Sequence, residues 1–201
     1  MSPEWITTAL WFAWLVSWII ATFWSSRVAK RGGWTSEILL RGLIYLGAVL
    51  MFALVPNHSD YAQKRLWRLD DFLQWLLTAM TAAGLSFTWW ARIHLGYLWS
   101  SWGMAAKANH QVVDTGPYRL VRHPIYSGLL VAAFATALEK GTVAASPGAA
   151  ILTLALYLRA RREERFLRAE LRERAYDAYA RKTPMLLPSI RHNRISNAAG
   201  S

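Results

Sequence analysis

WITTALWFAWLVSWIIATFW, residues 5–24, is a run of twenty residues without a charge. That is the length an α-helix needs to cross the hydrocarbon of a bilayer. A signal peptide would carry its basic residues before the apolar run and a small-residue cleavage site after it. Here Arg27, Lys30 and Arg31 come afterwards, so the run reads as a retained transmembrane helix. Trp11, Trp14 and Trp18 recur at helical spacing and read as a packing or lipid-facing stripe. Further apolar stretches follow at residues 38–55, 72–90, 125–138 and 149–158. The last two are short for a full crossing and form a helical hairpin, the second lengthening if it begins near Thr142.

The chain has 201 residues, 54% hydrophobic, with 12 tryptophans and no cysteine. Disulfides, thiolate catalysis and cysteine metal sites are therefore excluded. The five histidines show none of the short paired spacings of zinc sites, so no metal is expected. A formal charge of +11 would admit nucleic acid as a partner. The basic residues lie beside the hydrophobic runs, however, which points to anionic lipid headgroups and away from nucleic acid.

Lys and Arg number three in the first connector, four in the third and eleven in the C-terminal segment, against one in the fourth. The second has three offset by three acids. Five spans with the N-terminus outside place all three basic segments in the cytoplasm. The stretch 159–182 is charged with Leu167, Leu171 and Ala175 every four residues, an amphipathic helix continuing from the fifth span. Thr183-Pro184 ends it, and residues 191–201 form a polar, disordered tail. The expected fold is thus all-α: an integral membrane bundle of about five transmembrane helices with a cytoplasmic amphipathic C-terminal helix. Residues 1–190 form one domain, its catalytic part at 92–190.

Between the third and fourth spans, residues 110–128 read HQVVDTGPYRLVRHPIYSG. Asp114-Thr115-Gly116-Pro117 is a turn signal. Arg122-His123-Pro124 starts a helix, because proline fits the first helical position. Tyr118, Arg119, Arg122, His123 and Tyr126 then gather at a helix N-terminus, whose free N–H groups suit an anion such as a carboxylate.

With Glu163-Glu164, Tyr176, Tyr179, Pro184 and Pro188 in register after the hairpin, this stretch resembles the isoprenylcysteine carboxyl methyltransferase family, integral-membrane enzymes that use S-adenosylmethionine. The matching residues are His110-Gln111-Val112-Val113, Gly116, Tyr118, Arg122-His123-Pro124-Ile125-Tyr126 and Gly128, and the resemblance covers residues 92–190. It implies that His110, Gln111, Val112, Val113, Tyr118, His123, Pro124, Ile125, Tyr126 and Glu164 surround the cofactor. No G-x-G-x-x-G follows a strand, so a Rossmann domain is not what binds it. Four residues before the second glutamate the family type has an arginine addressing the substrate carboxylate. Here that position is Ala160, flanked by Arg159 and Arg161; Arg161 is the first candidate for the role and Arg159 the second.

A carboxylate acceptor is already ionised at neutral pH and needs no base, and an arginine orients it through two N–H bonds. An amine or thiol must lose a proton. The arginines around the glutamates, with no assigned base, favour methyl transfer to a lipophilic carboxylate at the membrane. The alternatives are N- or S-methylation of a phospholipid amine or small thiol, or a membrane binding protein without turnover.

Overall fold

The computed structural model describes residues 2–23, 30–31, 34–52, 61–96, 105–106, 113–170 and 173–188. The regular elements among the described residues are helices apart from one pair of two-residue strands and an isolated bridge between Arg65 and Thr142. Helix α1 (Pro3–Thr22) leads to β1 (Lys30–Arg31) and α2 (Trp34–Met51). Then come α3 (Asp71–Leu95), β2 (Ala105–Ala106), α4 (Pro117–Leu120), α5 (Pro124–Lys140), α6 (Ala145–Glu170) and α7 (Glu173–Lys182). The strands pair antiparallel, Lys30 opposite Ala106.

Local chemistry sets the ends of these helices. Pro3 and Pro124 open α1 and α5, where a missing N–H costs nothing. The Asp70 carboxylate caps α3 by accepting from the Leu73 N–H at 2.8 Å. Gly141 closes α5 in the left-handed region at φ 58°, which a residue without Cβ enters freely.

The helices meet through small residues. A Cβ added at Gly84 of α3 would lie 2.6 Å from the Gly128 carbonyl of α5. One added at Gly47 of α2 would lie 2.8 Å from the Gly148 carbonyl of α6. Both pairs are backbone-to-backbone contacts of the kind that small residues permit between membrane helices. The buried interior is correspondingly rich in alanine and threonine, including Ala91, Ala132, Ala133, Ala155, Thr81, Thr88 and Thr136. Large apolar side chains face outward instead, among them Phe12, Ile19, Leu39, Phe72, Trp75, Phe134 and Leu154.

The tryptophan stripe is a packing stripe. Trp11 Nε1 donates to Thr136 Oγ1 of α5 at 2.9 Å, and Trp14 Nε1 to Thr88 Oγ1 of α3 at 2.7 Å. At the far end of the same interface Thr7 donates to Thr78, which donates to the buried Glu139.

The expected helices are present, with different ends. The apolar stretches at 38–55, 72–90, 125–138 and 149–158 fall on α2, α3, α5 and α6, the fifth beginning at Ala145 rather than Thr142. The C-terminal amphipathic segment is two helices rather than one: α6 runs on to Glu170, and α7 starts at Glu173. It has to turn back, because α7 and the residues just beyond it lie across the start of α5. Among the described residues α1 is the one helix long and apolar enough throughout to cross a membrane by length and composition. In α3 the polar residues Thr78, Thr81, Thr88 and Arg92 are buried against neighbouring helices, which lowers its average while its outer face stays apolar. The tail at 191–201 lies outside the described residues.

Candidate functional site

The ends of α5, α6 and α7 converge on Arg122. Its Nε donates to Glu164 Oε1 at 2.7 Å, and its Nη1 donates to the carbonyls of Ala180 at 2.9 Å and Thr183 at 2.5 Å. One guanidinium thus closes the helical C-terminus of α7 and fixes a carboxylate of α6. Cations are favoured at such an end, where carbonyls lack intrahelical partners. The segment after α7 then crosses the start of α5 as a strap. The backbone N–H groups of Arg122 and His123 donate to the carbonyls of Pro184 and Met185 at 2.8 and 3.1 Å. Ser127 Oγ donates to the Leu186 carbonyl at 2.6 Å.

His123 caps α5 and is buried beneath this strap. Its ring stacks on Tyr126 with centroids 5.4 Å apart and planes 7° from parallel. Nε2 lies 3.4 Å from Glu164 Oε1 and Nδ1 lies 3.8 Å from Glu163 Oε2. The Nε2 atom is buried without a hydrogen bond among the described residues, so the ring is held in place with a polar edge to offer. The Tyr126 hydroxyl donates to Glu163 Oε2 at 2.8 Å and accepts from Arg159 Nε at 3.1 Å. Arg159 Nη1 in turn meets Glu37 Oε1 of α2 at 2.7 Å.

Burial pushes the Glu164 carboxyl up, but the His123 ring and the Arg122 guanidinium overcome that and hold it down at about 2. It stays a carboxylate at any physiological pH. Tyr118, Tyr176 and Tyr179 are shifted the other way. Burial raises each hydroxyl well above its ordinary value, and nearby Glu163 or Glu164 adds to the effect. They serve as neutral hydrogen-bonding groups: Tyr179 donates to the Tyr118 carbonyl at 2.6 Å, clasping α4 to α7. The Tyr118 ring lies over His94 at 6.4 Å.

The arrangement offers two buried or half-buried carboxylates, an imidazole edge, phenol groups and a guanidinium at one end of a helical bundle. Carboxylates suit a cationic or hydroxyl-bearing ligand, and the imidazole edge suits a group that completes its missing hydrogen bond. A phospholipid methyltransferase family model matches residues 73–174, half of the chain, spanning α3 through the start of α7. The chain belongs to that family.

This family is one of the membrane methyltransferases of the isoprenylcysteine carboxyl methyltransferase type, so the resemblance read from the motifs holds. Among curated proteins the chain is similar to a nickel-cobalt-cadmium resistance protein of Alcaligenes xylosoxydans xylosoxydans. The two are 30% identical over 148 residues, covering 71% of this chain and 61% of that protein. It is also 33% identical over 100 residues to a cobalt-zinc-cadmium resistance protein of Cupriavidus metallidurans, covering 48% of this chain and 44% of that protein. The chain thus spans less than two thirds of the length of either relative.

Of the residues the motifs single out, Tyr118, His123, Pro124, Ile125, Tyr126 and Glu164 lie on α4, the start of α5 and the facing turn of α6. Val113 lies half-buried just before the Asp114–Gly116 turn. His110, Gln111 and Val112 lie outside the described residues. The two flanking arginines part company. Ala160 is fully buried, and the 100° step per residue sends Arg159 into the cluster and Arg161 out of it. Arg161 is exposed, donating to the Tyr157 hydroxyl at 3.2 Å. Glu37 is a member of the cluster that sequence reasoning missed. It lies well outside the motifs, and its one local sign is Arg41 four residues on, a helical ion pair at 3.2 Å. The strap was partly legible, since Pro184 and Pro188 belong to the motif, but its role in closing the start of α5 was not.

Proposed function

We propose that this membrane methyltransferase uses S-adenosylmethionine and transfers its methyl group to a lipophilic carboxylate, the carboxylate being oriented by Arg159. The observation that carries this reading is the convergence of His123, Tyr126, Glu163, Glu164 and Arg159 within hydrogen-bonding or ion-pair reach of one another. S-adenosylmethionine supplies a methyl carbon already activated by its sulfonium. The donor set fits that cofactor: Glu164, kept ionised, suits its ammonium or ribose hydroxyls, and His123 Nε2, 3.4 Å from Glu164 but without a well-formed hydrogen bond, has one to complete. The stacked His123 and Tyr126 link Glu164, on one side, to Arg159 on the other.

The rest of the reaction falls to placement. A carboxylate needs no base, so the protein's task is to hold it about 3 Å from the methyl carbon and in line with the leaving sulfur. Of the two flanking arginines, Arg159 is the one placed beside Tyr126, which supports it over Arg161. The apolar outward faces of α1, α2, α3, α5 and α6 suit a multi-pass bundle surrounded by lipid, with the acceptor entering from the bilayer and the cofactor from the cytoplasm. N-methylation of a phospholipid amine is the second reading, favoured by the family's description as phospholipid methyltransferases. The names of the relatives connect those proteins with resistance to nickel, cobalt, zinc and cadmium; for this chain the corresponding reading is a lipid methylation that alters the membrane such ions must cross.

The test is incubation of the purified protein with methyl-labelled S-adenosylmethionine and fractionated lipids. Label released by mild base is expected, as for an ester. Base-stable label on an amine phospholipid would move the assignment to N-methylation, and no transfer with intact cofactor binding would leave a binding protein.

A further inference from the structure

We propose that Glu37 is a resident stand-in for the acceptor's carboxylate: it occupies Arg159 until the acceptor arrives and then gives way to it. The inference rests on the carboxylate reading above and adds a specificity-determining residue to it. Arg159 stands four residues before Glu163 on α6, its Nε on the Tyr126 hydroxyl and its Nη1 on Glu37 Oε1 at 2.7 Å. Both partners of that ion pair are only 17% exposed. A guanidinium recognises a carboxylate by charge and by its fork of N–H donors. An incoming carboxylate asks Arg159 for the same contact that Glu37 now makes, so the two compete.

Glu37 also has somewhere to go. Arg41, one turn further along α2, already meets the same Oε1 at 3.2 Å, so leaving Arg159 does not strand a half-buried anion. The exchange keeps both charges paired in each state, which matters because an unpaired buried charge is strongly destabilising. A neutral acceptor offers Arg159 nothing in return for Glu37 and is discriminated against. Glu37 moreover lies outside residues 73–174, the part matched by the family. Acceptor choice can thus be altered from α2 without disturbing the residues assigned to the cofactor.

Phenylglyoxal modification of arginines, read residue by residue by peptide mass mapping in lipid nanodiscs, tests the exchange without turnover. The probe is an S-farnesylated N-acetylcysteine, with its methyl ester as the uncharged control. Glu37→Gln should raise labelling of Arg159 by roughly tenfold, the gain expected from losing one charge-assisted contact. The acid should restore protection and the ester should not. The acceptor KM should fall by a similar factor while cofactor affinity changes less than about twofold. Unchanged labelling of Arg159 in Glu37→Gln, or a raised acceptor KM, overturns the proposal. If Glu37→Gln unfolds, Arg122 will be labelled in parallel; Glu37→Asp, whose shorter carboxylate draws back from Arg159, then decides by the same rise at Arg159 alone or its absence. Protection by the acid without methyl transfer would keep the exchange and sink the enzymatic reading. Methyl transfer to an amine with no protection by the acid would do the reverse.

Discussion

Glu164 stands between Arg122 and His123, and its ionisation ties the site to the stability of the fold. Its carboxyl is lowered from 4.5 to about 2, so between those values the unfolded chain binds a proton that the folded chain does not. Its contribution is therefore complete above about pH 4.5 and is lost as the pH falls toward 2. The full effect is on the order of 3 kcal/mol. Acid unfolding followed by circular dichroism in detergent should show this sensitivity in the wild type and a flatter profile in Glu164→Gln. The same variant, less stable at neutral pH, leaves the Arg122 guanidinium without its carboxylate. His123→Ala is expected to weaken S-adenosylmethionine binding by roughly ten- to a hundredfold, the value of one charge-assisted hydrogen bond. Calorimetric titration checks it, and unchanged affinity in the folded variant would take His123 out of the cofactor site.

At the scale of the helices, two devices hold the site together: close backbone approach and the strap. Gly84 has the Gly128 carbonyl 2.6 Å from where a Cβ would stand, whereas nothing lies within 4 Å of the same position at Gly42. Gly84→Ala must therefore push α3 away from α5 and should cost about 1–3 kcal/mol, seen as a lower melting temperature. Gly42→Ala should be neutral or slightly stabilising, because alanine is the better helix former. The strap predicts a different signature. Ending the chain at Lys182 removes the carbonyl partners of the Arg122 and His123 N–H groups while leaving the sequence of α1 to α7 whole. Cofactor binding should drop by tenfold or more with most helical content retained, as measured by titration alongside far-ultraviolet circular dichroism.

For the whole molecule, the inverted distribution of side chains is the informative feature. Among the described residues alanine and threonine are prominent in the interior beside a cluster of Met51, Leu130, Leu152 and Leu156, and large apolar side chains cover α1, α2, α3, α5 and α6. That pattern minimises free energy in lipid, where burying a leucine gains little and satisfying a threonine gains more. From the asymmetry of Lys and Arg between connectors we propose an orientation with the C-terminus inside. A reporter fused to the C-terminus should accordingly be inaccessible from outside intact cells and become accessible when the membrane is permeabilised. External accessibility would invert the topology and move the site to the other face.

Helix positions, the cluster around His123 and the family were legible in the sequence because each is written locally. Apolar run length, proline at the first helical position and glycine at the turn act within a few residues of themselves. The amphipathic C-terminal segment misled for the same reason: the period of Leu167, Leu171 and Ala175 says which face is apolar, not that the chain turns back between α6 and α7. Tertiary structure alone separated Arg159, inside the cluster, from Arg161, outside it, since helical rotation is known from sequence but the direction of the cluster is not. It alone brought Glu37 to Arg159 across more than a hundred residues, and the Pro184–Leu186 carbonyls to the start of α5 across some sixty. Those contacts are charge and hydrogen-bond pairings between distant segments. Their partners are chosen by how α2 packs on α6 and where α7 ends, and no local pattern records that choice.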